Sequence, residues 1–168
     1  MGILKGEPTM NNNNIVIENA KIRFKNFSGK AGKFNDEGKR NFCILLEDSL
    51  ADILIEEGYN VKYLNPLDEE EPSQAYIQVN VNFSVAPPKV ILVSSRGQTA
   101  LTEETVNVLD YADLAKVDVV LRPYNWSKAG KTGVKPYLKT MYATLDEDPL
   151  EVKYADAPDS ALDSLMQQ

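Results

Sequence analysis

From Tyr76 to Val85 the side chains alternate without a break. Ile77, Val79, Val81, Phe83 and Val85 fall on one side, and Tyr76, Gln78, Asn80, Asn82 and Ser84 on the other. A period of two is that of a strand with one face in a core and the other in solvent. The solvent face here is polar and uncharged. Pro87 and Pro88 interrupt the pattern, Lys89–Ser95 resumes it, and the two runs read as a hairpin. Ile15–Phe27 reads as a first strand, with Ile22 and Phe24 toward the core and Lys21, Arg23 and Lys25 toward solvent. Asn41–Leu46 has the length and apolar character of a buried strand, and Asn60–Leu64 reads as a short further one. Val117–Trp126 and Val134–Leu145 are predicted as the arms of a long hairpin joined by Ser127–Gly133, whose two glycines suit the reversal.

Two segments change to a helical period. Ser49 reads as an N-cap with Asp52 three residues on, Leu50, Ile53 and Leu54 share a face, and Gly58 suits a left-handed end. Thr102–Leu109 reads as a short helix capped by Thr102, with Glu103 and Glu104 in its first turn and Val106 and Leu109 inward. Ser28–Arg40, with three glycines, is a loop carrying Lys30, Lys33, Lys39, Arg40 and the aromatic Phe34. Asn65–Ser73, containing DEEEP, is an acidic solvated loop. The expected organisation is a disordered N-terminal segment at 1–14, one domain at 15–154 and an acidic flexible tail at 155–168. The fold class is mainly β with one or two short helices, arranged as a small Greek-key barrel with a long hairpin.

Composition removes more functions than it suggests. No histidine occurs in the 168 residues, so Ser-His-Asp and Cys-His catalysis and His-ligated zinc are excluded. Cys43 is the single cysteine, precludes an intrachain disulfide, and reads as a small core residue. No apolar run approaches the roughly 20 residues of a spanning helix, and an intracellular soluble protein is the expectation. Gly130-Lys131-Thr132 has the end of a phosphate-binding loop, but Asn125 stands where that motif requires its first glycine. No cofactor and no metal site are expected.

The formal net charge is −7, unevenly spread. Residues 1–44 carry +4, 45–119 carry −10, 120–140 carry +5, and 141–168 carry −6. Association responds to the local field, so the total decides little. Val120–Tyr142 holds five basic residues (Arg122, Lys128, Lys131, Lys135 and Lys139), four aromatics (Tyr124, Trp126, Tyr137 and Tyr142) and no acid. Cations follow a phosphate backbone and rings stack on unpaired bases, so this composition suits single-stranded nucleic acid. Strand alternation puts Arg122, Tyr124 and Trp126 on one face of the first arm, opposite Val117, Val119 and Leu121. In the second arm it groups Lys135, Tyr137 and Lys139 opposite Val134, Leu138 and Tyr142. If both rows share a side of the hairpin, they form a groove wall. Lys21, Arg23, Lys25, Lys33 and Phe34 are the further candidates. Tyrosine and tryptophan are also ordinary strand residues, and lysines keep an edge soluble, so a structural role for the same row stays open.

Five or more strands, an inserted helix and a basic-aromatic hairpin suit the oligonucleotide-binding (OB) fold. NFCILLED at 41–48, YIQVNVNF at 76–83, and RPYNW followed by GKTGVKPYLKTMYATL at 122–145 resemble the single-stranded-DNA-binding proteins of tailed bacteriophages. The resemblance spans roughly residues 15–154. It implies an OB-fold-like barrel that coats single-stranded DNA in phage replication or recombination, in the infected host's cytoplasm, without catalysis or membrane attachment. It also implies an acidic tail that recruits replication or recombination proteins, with Asp146–Asp163 supplying the acidity. Homo-oligomerisation stays open. The last residues, Leu165–Gln168, lack the acidic-plus-aromatic ending of many such tails. Two other classes compete. A phage interaction or virion-associated module could dock the same hairpin on a protein. A carboxylate-metal nuclease would draw on Asp68, Glu69, Glu70, Glu71, Asp110 and Asp113.

Overall fold

A computed structural model describes residues 13–33, 35–64, 73–84, 86–150 and 153. Among them the alternating segments form β1 (Ile15–Ile17), β2 (Lys21–Asn26), β3 (Arg40–Leu46), β4 (Lys62–Leu64), β5 (Gln74–Val81), β6 (Lys89–Ser94), β7 (Gly97–Leu101), β8 (Leu114–Lys128) and β9 (Lys131–Leu145). Helix α1 (Asp48–Glu56) follows β3, and a 3-10 turn (Val106–Asp110) precedes β8. None of the described helices is long and apolar enough to cross a membrane.

All nine strands join one mixed sheet with the path β1-β8-β9-β5-β3-β2. Its two outermost strands, β1 and β2, are consecutive in the chain and separated only by Glu18–Ala20. Three residues cannot bridge a flat six-strand path of about 24 Å, so the sheet must curl until its edges meet. Among the described residues no ladder closes the seam. It is held by the turn itself, where Ala20 donates its N–H to Val117 O at 2.7 Å and Asn19 donates to Asp118 Oδ1 at 2.8 Å. The expected barrel is therefore a curled, unclosed sheet.

The inward faces carry the alternation that the sequence displays. Phe42, Ile44 and Leu46 of β3 meet Ile77 and Val79 of β5 and Val119, Leu121, Leu138 and Met141 of the long hairpin, all buried. Phe27 stacks on Phe42 with ring centroids 5.1 Å apart. The 3-10 turn adds buried Val106 and Leu109. The Asp110 carboxylate accepts the backbone N–H groups of Phe27 at 2.6 Å and Ser28 at 3.0 Å, which pins the end of β2.

Several expectations change. Ile15–Phe27 is two strands rather than one: Asn19, at φ 51°, turns the chain, so β1 pairs with β8 and β2 with β3. Lys89–Ser94 does not pair back on β5. It pairs antiparallel with β7, whose GQTAL sequence carries no clear alternation, and parallel with β9. Helix α1 starts two residues earlier than expected, with Glu47 rather than Ser49 at the N-cap and no side-chain cap. Its buried face is Ala51 and Leu54, while Ile53 is exposed. Gly58 does end it: at φ 98°, its N–H reaches Ile55 O and that of Tyr59 reaches Leu54 O, a Schellman closure. Thr102–Leu109 holds a 3-10 turn where a helix was expected, with Val106 and Leu109 inward as predicted.

Candidate nucleic-acid interface

The β8–β9 hairpin is tighter than its sequence suggests. Its turn is two residues, Ala129 and Gly130, both at positive φ (53° and 77°), as a type I′ reversal requires. Pairing then continues to Lys128↔Lys131, leaving no seven-residue loop. The register decides the question that the sequence left conditional. Arg122 lies opposite Tyr137, Tyr124 opposite Lys135, and Trp126 opposite Gly133. Directly opposed residues point to the same side of a sheet. The two basic-aromatic rows therefore form one outward face, while Leu121, Leu138 and Val134 turn inward.

Contacts within the row fix its rings. Tyr124 and Tyr137 meet edge to face at 5.5 Å. The Trp126 indole covers Gly133 so closely that a Cβ there would lie 2.6 Å from Cζ2 and 2.7 Å from Nε1. Glycine at 133 is thus a seat for the tryptophan. Beyond Arg122 and Tyr137 no further strand among the described residues flanks either arm, apart from one bridge between Tyr59 and Val134. The distal hairpin is a two-stranded ribbon tied to the body where Val134 donates to Gly58 O at 3.0 Å. Trp126, Lys128, Lys131 and Lys135 all ride on it.

A shift in register at Lys139 corrects one assignment. Val120 pairs with Thr140 but Leu121 with Leu138, so Lys139 is an extra residue that bulges outward, exposed. Parity reverses past it. Tyr142 consequently opposes Asp118 rather than sharing the inward row of Leu138, and Lys89 Nζ sits 5.5 Å from its ring centroid.

Electrostatically the row is uncompensated. Among the described residues Lys21, Lys62, Arg122, Lys128, Lys131, Lys135 and Lys139 form no ion pair, whereas Lys39 pairs with Asp36, Arg40 with Glu103 and Lys116 with Asp118. Leaving cations unpaired within a chain of net charge −7 costs no fold contact and keeps them available to phosphate.

Strand β2 departs most from expectation. Pairing shifts register between Arg23 and Asn26, so the chain bulges at Phe24. Phe24 adopts φ 53° and is 60% exposed, where the sequence placed it in the core. A bulky residue in the left-handed region costs on the order of 1–3 kcal/mol. Its ring meets Tyr76 edge to face at 6.2 Å, reaching over β3. The bulge also turns Lys25 away from Lys21 and Arg23, and its Nζ donates to Ala112 O at 2.8 Å. Lys21 and Arg23 stay outward, opposite Leu45 and Cys43. Burial pushes the Cys43 thiol above its ordinary range, partly offset by the nearby Lys62 ammonium. Lys33 lies exposed in the loop after β2, and Phe34 lies outside the described residues. In the same loop Lys30 donates to Tyr111 Oη at 2.7 Å, and that bond raises its pKa.

Of the carboxylates a nuclease would draw on, only Asp110 and Asp113 lie among the described residues. Asp110 is occupied by two backbone N–H groups, and residues 68–71 lie outside the described segments. Among the described residues no group of three or more acidic or cysteine side chains could hold a metal ion. Lys131 and Thr132 follow a hairpin turn and do not open a helix.

Sequence reasoning did not single out Phe24, Tyr76 or Lys62 as site residues, and it placed Phe24 inward. Tyr76 was legible as outward from alternation alone. Phe24 was not, because a bulge inverts the parity on which the pattern depends.

Comparison with known proteins follows the same lines. The family model described as "Putative phage ssDNA-binding domain" matches residues 7–168. No curated protein matches the chain. Among solved structures, the single-stranded DNA-binding protein from bacteriophage Enc34 in complex with ssDNA aligns at 14% identity and a TM-score of 0.53, covering 81% of this chain and 88% of that one. The same phage protein in a second structure aligns at 14% identity and a TM-score of 0.52, covering 86% and 89%. At such identity the likeness is one of fold, and it places the unclosed sheet among OB-fold-like architectures.

Proposed function

The chain belongs to the phage ssDNA-binding domain family, and on that premise we propose that it coats single-stranded DNA through the outward face of the β8–β9 hairpin. One observation carries the reading: the register sets Arg122, Tyr124 and Trp126 directly beside Tyr137, Lys135 and Gly133, within a stretch from 120 to 140 that holds no acidic residue. Phosphates run along Arg122, Lys128, Lys131, Lys135 and Lys139, and bases stack on Tyr124, Trp126 and Tyr137. Stacking is worth about 1–3 kcal/mol per base and tolerates any base, so binding is indifferent to sequence. Lys21 and Arg23 extend the basic surface, and Lys33 and Phe34 are further candidates to contact the strand. Lys25, tied to Ala112, contributes little.

The role is in phage DNA replication or recombination within the infected host cell, without enzymatic activity or cofactor. The acidic residues after Asp146 are the segment that would recruit replication or recombination proteins and compete with DNA for the cations.

The test is titration of a fluorescent oligo-dT of about 16 nucleotides, the upper end of the footprint of one such barrel, at low and moderate salt beside a duplex of equal length. Salt-weakened binding to the single strand, with quenching of Trp126 fluorescence, is expected. No binding at low salt would refute it and leave the row as a protein-docking surface.

A further inference from the structure

The geometry points to a second base-stacking platform on the opposite flank of the sheet, built from Phe24 and Tyr76 and ringed by Lys21, Arg23 and Lys62. It rests on the reading of the chain as a single-strand binder and adds a site to it. Register places all the members on one side. Lys21 opposes Leu45, which opposes Tyr76, and Tyr76 in turn opposes Lys62 on β4. Arg23 opposes Cys43, and Cys43 opposes Gln78. The outward positions therefore hold two aromatics and three cations, with no acidic residue between them.

Phe24 is the informative member. A phenylalanine needs a core or a partner, yet this one holds φ 53° with 60% of its surface in solvent. Glycine would meet that backbone without strain. Strain kept at an exposed aromatic is a mark of function rather than packing. The edge-to-face contact with Tyr76 steadies the ring and leaves faces open to a base.

The platform is continuous with the hairpin. Along β5, Tyr76 is followed outward by Gln78 and Asn80, and Asn80 stands beside Tyr137 of β9. Four residues of strand and one inter-strand step separate Tyr76 from Tyr137 by about 14 Å. Gln78 and Asn80 offer amides to bases or sugars along that track. A single strand thus crosses the sheet from β2 to the ribbon rather than following the hairpin alone.

The strain makes the test decisive. Phe24→Gly removes the ring and relaxes the backbone, so its melting temperature should equal or exceed that of the parent. Its affinity for the oligo-dT of about 16 nucleotides should fall about 5- to 150-fold, the range for one stacked base. Phe24→Tyr should restore binding, and Tyr76→Ala should weaken it similarly. Parental affinity in Phe24→Gly and Tyr76→Ala, while Trp126→Ala is weakened, would overturn the platform and leave the hairpin reading intact. If the parent protein itself fails to bind at low salt, both readings fall together.

Discussion

Gly133→Ala tests whether the Trp126 ring is held where a base can use it. The new Cβ would sit 2.6 Å from Cζ2 and 2.7 Å from Cε2 and Nε1, and ordinary carbon contacts are about 3.5–4.0 Å. The indole must retreat by roughly 1 Å or swing off the ribbon. The backbone at 133 is not at positive φ, so alanine adds no conformational strain. Alanine in a strand recovers about 0.5–1 kcal/mol relative to glycine, which offsets much of the packing lost at a half-exposed ring. Net stability should therefore move by less than about 1 kcal/mol. Affinity for oligo-dT should fall by about 1 kcal/mol, near fivefold, if the ring shifts, and by up to about 3 kcal/mol if it leaves the row. Trp126 is the only tryptophan, so intrinsic fluorescence reports the displacement without ambiguity. The decisive comparison is a double-mutant cycle: in a Trp126→Ala background, Gly133→Ala should not change affinity. An equal loss in both backgrounds, or an unchanged emission spectrum, would refute the proposed seat.

Three further outcomes follow from particular contacts. Lys135→Gln and Lys139→Gln should each lower the slope of log affinity against log salt by about 0.7, measured from oligo-dT titrations between low and moderate salt. Tyr59 is buried, its hydroxyl has no partner among the described residues, and burial pushes its pKa up to about 12. The unfolded tyrosine ionises near pH 10 and the folded one resists, so this contribution to stability is whole below about pH 10 and lost progressively up to about pH 12. Tyr59→Phe should remove that decline in urea titrations and leave stability at pH 7 equal or higher, since no hydrogen bond is lost. Asp110→Ala strands the N–H groups of Phe27 and Ser28 and should cost about 2 kcal/mol, roughly 4–8 °C in Tm, while the folded variant binds DNA normally.

Much of the candidate site was visible along the chain because its two halves lie on consecutive strands. The absence of acid from Val120 to Tyr142 and the alternation in each arm identify Arg122, Tyr124, Trp126, Lys135 and Tyr137. Whether they share a side depended on register, and register depends on turn length. Ala129-Gly130 is a two-residue reversal that the lysines and glycines around it disguise as a longer loop. Tyr142 and Phe24 were misplaced for one reason. Each lies at or past a bulge, and an inserted residue inverts every later side chain while leaving the local composition unchanged.

By itself the sequence determined the class of the fold, the inward faces of β3, β5 and β8, and the charge asymmetry, because these follow from local periodicity and composition. Only the tertiary structure decided the rest. It joined β1 and β2 to opposite ends of one sheet, set β6 beside β9 rather than β5, and put Phe24, Tyr76 and Lys62 on a common face. Those pairings join residues up to about a hundred positions apart. They are chosen by which apolar faces can be buried together, a property of the whole chain that no local window contains.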